Sequence, residues 1–86
     1  MYWSLDLFEF TEEEFFEFHQ KVAANVKKYR QSKNITQLDL AIEMGMKNSS
    51  FISNVENPRL LIHHYSIEHL YKIASILEVD ICEFLK

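Results

Sequence analysis

Residues that form tight turns are scarce in this sequence, which has one glycine, Gly45, and one proline, Pro58. A sandwich or barrel of many short strands needs such residues at most of its turns, so an all-β fold is disfavoured. The single cysteine, Cys82, cannot form an internal disulfide, and no apolar run approaches the ~18 residues of a membrane-spanning helix. The first positive charge is Lys21, so the N-terminus lacks the basic start of a secretory signal, and we expect a cytoplasmic protein outside the membrane.

The overall composition is that of a globular protein, with 48% apolar and 26% charged residues. A chain of 86 residues has room for one core and about four or five short elements. A helical chain of this size offers little cavity, and no Ser, His and Asp arrangement has the loop context of a nucleophilic site. We therefore expect no enzyme activity and no cofactor.

The net charge of −4 is unevenly distributed along the chain. Residues 1–18 carry six carboxylates and no Lys or Arg, which gives −6. Residues 19–59 carry seven Lys or Arg against three Asp or Glu, which gives +4, and residues 60–86 carry two against four, which gives −2. Any surface that binds phosphate must therefore be built from the middle of the chain.

Capping residues predict where the helices begin. Thr11, with Glu14 three residues later, fits a capping box and predicts a long first helix that ends near Ser32. Thr36 caps a second helix over residues 37–44, and Gly45 stops it. The apolar stripe of the first helix consists of Phe15, Phe18, Val22, Val26 and Tyr29.

Three further helices are predicted in the second half. The third, over residues 50–56, turns Ile52 and Val55 inward and ends before Pro58. Ser66 caps a fourth helix, and Asp80 starts a short fifth. The first ten residues are ambiguous, because their apolar alternation is that of a strand up to Leu7 and then changes phase, so either a short strand or an irregular apolar arm fits.

The central sequence resembles a known family. The runs VKKYR at 26–30, KNITQLDLAIEMGM at 33–46 and FISNVE at 51–56, followed by LYKIASILEV at 70–79, resemble the Cro/C1-type helix-turn-helix of phage repressors and XRE-family regulators. The resemblance covers about residues 22–85. It implies an all-α, five-helix, lambda-repressor-like domain over residues 19–86, preceded by an acidic, aromatic extension over residues 1–18.

The resemblance also implies which residues contact DNA. In such motifs one helix lies across the backbone and the next enters the major groove. Gln37 would donate to a phosphate, and Arg30 would pair with Glu56 to orient the helices. The expected DNA-binding set is Gln37, Lys47, Asn48, Ser49, Ser50, Ser53, Asn54, Asn57 and Arg59, in which Ser49, Ser50 and Asn54 face base edges, Ser53 lies on the same outward side, and Lys47, Asn48, Asn57 and Arg59 contact the backbone.

The chain departs from the family pattern at several points. The stretch from Gly45 to Glu56 is one residue longer than usual, so Asn48 could take the place assigned to Ser49. Leu38 and Ile42 lie at positions that are usually polar, which suggests an extra contact surface. The extension over residues 1–18 has no counterpart in the family.

The leading hypothesis is a sequence-specific transcriptional regulator that binds operator DNA as a homodimer, with the aromatic surplus of the front segment as a dimer contact. The alternative is a protein-interaction module of the same fold, antitoxin-like or an adaptor, that holds a protein partner through residues 1–18. Phage regulator, antitoxin and restriction-control roles all remain open at this point. The histidines His63, His64 and His69 with Cys82 are of types that bind zinc, but their spacing matches no zinc finger or ribbon, so we expect no metal.

Overall fold

The computed structural model describes residues 9–60 and 63–86, and these residues form helices and connecting loops without a strand. The elements are α1 (Glu12–Ser32), α2 (Gln37–Glu43), α3 (Ser50–Glu56), α4 (Ile67–Leu77) and a C-terminal 3-10 helix (Ile81–Leu85). The predicted all-α class is confirmed, but the fifth helix is a 3-10 helix. The question of a strand or an arm falls on residues 1–8, which lie outside the described residues.

Side-chain caps hold the helix starts that the sequence predicts. Thr11 Oγ1 accepts a hydrogen bond from the Glu14 amide at 3.1 Å, and Thr36 Oγ1 accepts from the Asp39 amide at 3.0 Å. At the start of α4 the cap is reciprocal: Ser66 Oγ accepts from the His69 amide, and His69 Nδ1 accepts from the Ser66 amide. These bonds satisfy amide groups that have no partner within the first turn of a helix.

One core joins all five elements. It is formed by the buried side chains of Val22, Ala23, Val26, Leu40, Ala41, Met44, Ile52, Val55, Tyr65, Leu70, Ile73, Leu77 and Phe84. The predicted stripe of α1 enters this core only from Val22 onward, because Phe15 and Phe18 remain 52% and 45% exposed. The front half of α1 therefore carries apolar surface that the rest of the described chain does not cover.

Two residues outside the α-helices have contrasting environments. Tyr65 lies in the loop between α3 and α4, whose sequence is unusually apolar, and its side chain is buried in the core. Cys82, expected in or near the core, is exposed. Its neighbours Ile81 and Phe84 face inward, and Cys82 between them is turned outward. Among the described residues, no helix has the length and apolar character needed to cross a bilayer.

Candidate nucleic-acid interface

A tight turn sets the angle between α2 and α3. Gly45 follows α2 with φ +89°, a left-handed conformation that glycine adopts without steric cost. Its amide donates to the Ile42 carbonyl at 3.0 Å, and the Met46 amide donates to the Ala41 carbonyl at 2.9 Å. This pair of bonds is a Schellman motif, which ends α2 and redirects the chain toward α3.

A buried ion pair fixes α3 against the end of α1. Arg30 Nε donates to Glu56 Oε2 and Arg30 Nη2 donates to Glu56 Oε1, both at 2.9 Å, while Arg30 Nη1 donates to the Ile35 carbonyl at 2.7 Å. The two side chains are only 7% and 3% exposed. The ion pair suggested by the family resemblance is therefore present, and its two parallel bonds fix orientation as well as distance.

Gln37 belongs to the same network. Its Nε2 donates to Glu56 Oε1 at 2.8 Å, so the side chain is half-buried at the start of α2 instead of reaching freely into solvent. A carboxamide nitrogen carries two hydrogens, and this bond uses one of them. The sequence assigned Gln37 to a phosphate and gave no sign of this contact, because the two residues are 19 positions apart.

The outward side of α3 carries only small polar side chains. Ile52 and Val55 face the core, whereas Ser50 and Ser53 are exposed and Asn54 is half-exposed. The arrangement agrees with the predicted placement of these three polar residues. It leaves hydroxyl and carboxamide groups on the side of the helix away from the core.

Asn48 forms the turn that leads into α3. Its Oδ1 accepts from the Ser50 amide at 2.9 Å, whereas Ser49 occupies the N-cap position and its side chain makes no capping bond. The bond to the Ser50 amide closes an Asx turn ahead of the helix. The side-chain oxygen of Asn48 thus has a structural role, and its side-chain nitrogen remains available as a donor. The Ser49 side chain is half-buried.

Cationic side chains stand at both ends of α3. Lys47 precedes it and Arg59 follows it; both are exposed, and neither forms an ion pair with any part of the chain that the structure describes. Asn57 Oδ1 accepts from the Arg59 amide at 3.0 Å, which shapes the turn after α3. Such solvated cations are free to meet phosphate groups.

The neighbouring surface of α2 has the opposite character. Leu38 and Ile42 are 50% and 55% exposed, as expected for an extra contact surface, and the exposed carboxylates Asp39 and Glu43 lie beside them. This face would repel phosphates. The candidate contact surface is therefore α3 with its two flanking turns. Exposed lysines also lie at the end of α1, namely Lys27, Lys28 and Lys33.

Aromatic rings support α3 from behind. Phe51 packs against the rings of Tyr65 and His69, with centroids 5.9 and 4.8 Å away. The Tyr65 hydroxyl is buried and has no hydrogen-bond partner within the described residues. Burial, and next the nearby Glu56 carboxylate, raise the pKa of Tyr65 well above its usual range. The loop over residues 57–65 is unusually apolar, and this was the only feature of the sequence that indicated packing of the loop against α3.

The described histidines take part in ring stacking and in the cap of α4. His19 of α1 stacks on His64 with ring centroids 4.0 Å apart, and the pKa of His19 is lowered by burial and next by His64. His69 Nδ1 is occupied by the cap of α4. Within residues 9–60 and 63–86, no three His, Cys, Asp or Glu side chains come together as metal ligands.

Comparison with known proteins identifies the fold. No family model and no curated protein sequence matches the chain. The crystal structure of a hypothetical transcription factor, NHTF from Neisseria, is similar with a TM-score of 0.69 and 24% sequence identity, over 91% of this chain and 83% of that chain. The likeness shows that the two proteins share a helical fold.

Proposed function

We propose that this protein is a sequence-specific DNA-binding transcriptional regulator of the Cro/C1-type, XRE family, which acts without a catalytic site or cofactor. The observation that carries the proposal is the outward face of α3. It presents Ser50, Ser53 and Asn54, stands between the exposed cations Lys47 and Arg59, and is held in place by a buried ion pair. The similar fold of the hypothetical transcription factor from Neisseria supports the same function.

The chemistry of these side chains suits duplex DNA. The Asn54 carboxamide pairs bidentately with adenine in the major groove, and the serine hydroxyls donate to or accept from several bases. Lys47 and Arg59 meet phosphates on either side of the groove, and Gln37 donates its second amide hydrogen to another. Short serine side chains read few base edges, so part of the specificity comes from DNA shape.

The residues that flank α3 contact the DNA backbone. The side-chain amide nitrogens of Asn48 and Asn57, which are not used in the turns, donate to phosphates. Ser49 lies at the edge of the DNA-binding surface. Two copies on one DNA would bind half-sites about 34–36 Å apart, one turn of the double helix. Phage regulator, antitoxin and restriction-control roles all use this kind of contact.

Selection of duplexes from a random library, followed by fluorescence anisotropy with the selected and a scrambled duplex, tests the proposal. Asn54→Ala should reduce the preference for the selected duplex, because it removes a base contact. Lys47→Ala should weaken both duplexes alike and reduce the slope of log affinity against log salt by about 0.9. Lys86→Ala, at the far C-terminus, is the matched charge control and should change neither quantity.

Two results would overturn the proposal. One is the absence of any duplex with affinity above the scrambled sequence. The other is an equal effect of Lys47→Ala and Lys86→Ala, since it would mean that net charge and not the α3 surface determines binding.

A protein-interaction module is the second candidate, and one observation favours it. Phe10, Phe15 and Phe18 are 67%, 52% and 45% exposed on a segment whose charged side chains up to Glu17 are all acidic. Such a segment repels phosphate and suits a basic protein partner. Phe15→Ala would abolish binding of that partner, whereas Asn54→Ala would leave it unchanged.

A further inference from the structure

The most exposed large apolar side chains in the described residues lie on one helix. Ile67 is 78% and Tyr71 71% exposed, and they are four residues apart on α4. Side chains with this spacing are neighbours on the helix surface. The opposite side of α4 packs against the core, where Leu70, Ile73 and Leu77 are buried. The outward side of α4 is therefore an apolar pair without a partner in the described chain.

Charges of both signs border this pair. Glu68 and Lys72 each follow one of the apolar residues, and both are exposed. Neither forms an ion pair with another described residue. Along the helix, the apolar and negative pair Ile67 and Glu68 is therefore followed by the apolar and positive pair Tyr71 and Lys72.

We propose that the outward face of α4 binds a second copy of this chain, with the two α4 helices antiparallel about a two-fold axis. In that arrangement Ile67 meets the partner's Tyr71, and Glu68 lies opposite the partner's Lys72. The two-fold axis repeats both contacts, so the four charges form two opposite-charge pairs. A pattern of this kind is complementary to itself, which is the reason for choosing a second copy as the occupant.

The front of α1 is a poorer surface for the same purpose. Phe10, Phe15 and Phe18 are also exposed, but the same stretch of chain carries five carboxylates and one cation, Lys21, whose Nζ lies 5.8 Å from the Phe18 ring. The carboxylates are those of Glu9, Glu12, Glu13, Glu14 and Glu17. Two such fronts would bring like charges together. The sequence led us to expect the dimer contact on the front segment. Because of the repulsion between two such fronts, we place it on α4 instead.

Pairing through the outward side of α4 leaves the contacts of its inward side intact. That side packs on α1, α2 and the 3-10 helix, and His69 contacts Phe51 of α3. The inference deepens the proposed function, on which it rests for the need for two copies on one operator. Because the face is small, the association is weak in the absence of DNA.

Sedimentation equilibrium of the full chain, without DNA and up to about 1 mM protein, tests the inference. The wild type should self-associate, and Tyr71→Asp should abolish the association. Glu68→Lys and Lys72→Glu should each weaken it by roughly tenfold, because two like-charge contacts replace two opposite-charge contacts. An equimolar mixture of the two charge variants should recover the affinity of the wild type as a mixed dimer.

The mixture separates contacts between chains from contacts within one helix. In each variant the charges at positions 68 and 72 of one chain are alike, so no pairing within α4 is regained on mixing. Phe15→Asp is the control on the front of α1 and should leave the association unchanged. Circular dichroism of each variant checks that the helices are intact.

A wild type that stays monomeric, a mixture that fails to recover, or an association abolished by Phe15→Asp but not by Tyr71→Asp would overturn the inference. Failure here is distinct from failure of the proposed function. A chain that binds selected DNA but stays monomeric contradicts the α4 pairing alone. A chain that pairs through α4 without binding DNA supports the pairing and contradicts only the proposed function.

Discussion

Arg30 and Glu56 face each other through two parallel hydrogen bonds of 2.9 Å, from Nε to Oε2 and from Nη2 to Oε1. The pair joins the end of α1 to the end of α3, and Gln37 extends it to the start of α2. Because both charges are almost fully buried, each needs the other. The position of the outward α3 face therefore depends on a contact between side chains that do not touch that face.

Removal of one charge from this pair should be costly. Glu56→Gln leaves the Arg30 guanidinium buried without a counter-charge, so we expect the free energy of unfolding to fall by about 3–5 kcal/mol in urea titrations. Lys86→Ala removes a partner from the exposed Glu83–Lys86 pair, whose 2.7 Å contact is screened by water, and should cost far less than Glu56→Gln. Equal losses for the two variants would contradict the structural role of the buried pair.

The turn between α2 and α3 should accept asparagine better than alanine. Gly45 has φ +89°, and a Cβ there would meet nothing within 4 Å, so the cost of substitution is conformational and not steric crowding by neighbours. We expect Gly45→Ala to lower the free energy of unfolding by about 1–2 kcal/mol, and Gly45→Asn by less, because asparagine tolerates left-handed backbone. Thermal unfolding of both variants measures this, and the reverse order would show that the turn is not left-handed.

Removal of two tyrosine hydroxyls should have different effects on the free energy of unfolding. The Tyr29 hydroxyl donates to Glu83 Oε1 at 2.8 Å, whereas the buried Tyr65 hydroxyl has no partner in the described chain. Tyr29→Phe should lower the free energy of unfolding, because it removes this bond, and Tyr65→Phe should leave it unchanged or raise it by up to about 1 kcal/mol. A loss at Tyr65 as large as that at Tyr29 would mean that the Tyr65 hydroxyl is hydrogen-bonded.

Stability should fall on mild acidification. Burial, and next the charge of Lys72, lower the pKa of His69 below its ordinary value of 6.5. Since the unfolded chain takes up the proton first, this stabilisation is complete above about pH 6.5 and is lost as the pH falls toward the lower pKa of the folded state. Urea titrations between pH 7.5 and 5 should show the decline, and His69→Gln should reduce it.

His63→Gln is the matched control for this effect. It removes a histidine from the same region without touching the cap of α4, in which His69 Nδ1 accepts from the Ser66 amide at 3.0 Å. A decline with pH that is identical in the wild type and His69→Gln would show that His69 does not contribute to it.

The sequence predicted what depends on local chemistry. Thr36 and Ser66 cap helices because a hydroxyl reaches an amide three residues ahead, which spacing alone reveals. Gly45 ends α2 because glycine adopts a left-handed backbone conformation without steric cost, which its place after the helix also indicates. The outward placement of Ser53 and Asn54 follows from the helical period once Ile52 is directed inward.

Contacts between distant residues escaped the sequence. The bond from Gln37 to Glu56 joins residues 19 positions apart, and the burial of Tyr65 depends on where Phe51 and His69 lie. The bond from the Ser50 amide to Asn48 Oδ1 depends on the exact shape of the turn before α3, which the sequence did not determine. The exposure of Cys82 depends on how the last segment packs against the core, and a segment of five residues leaves that open.

Amide chemical-shift mapping during titration with a selected duplex locates the DNA on the protein surface. We expect the largest shifts at Gln37 and between residues 47 and 59, with Ser50, Ser53 and Asn54 among them. We expect small shifts at Glu12 to Phe18. Shifts confined to that front of α1, or an unchanged spectrum at saturating duplex, would contradict the claim that α3 binds DNA.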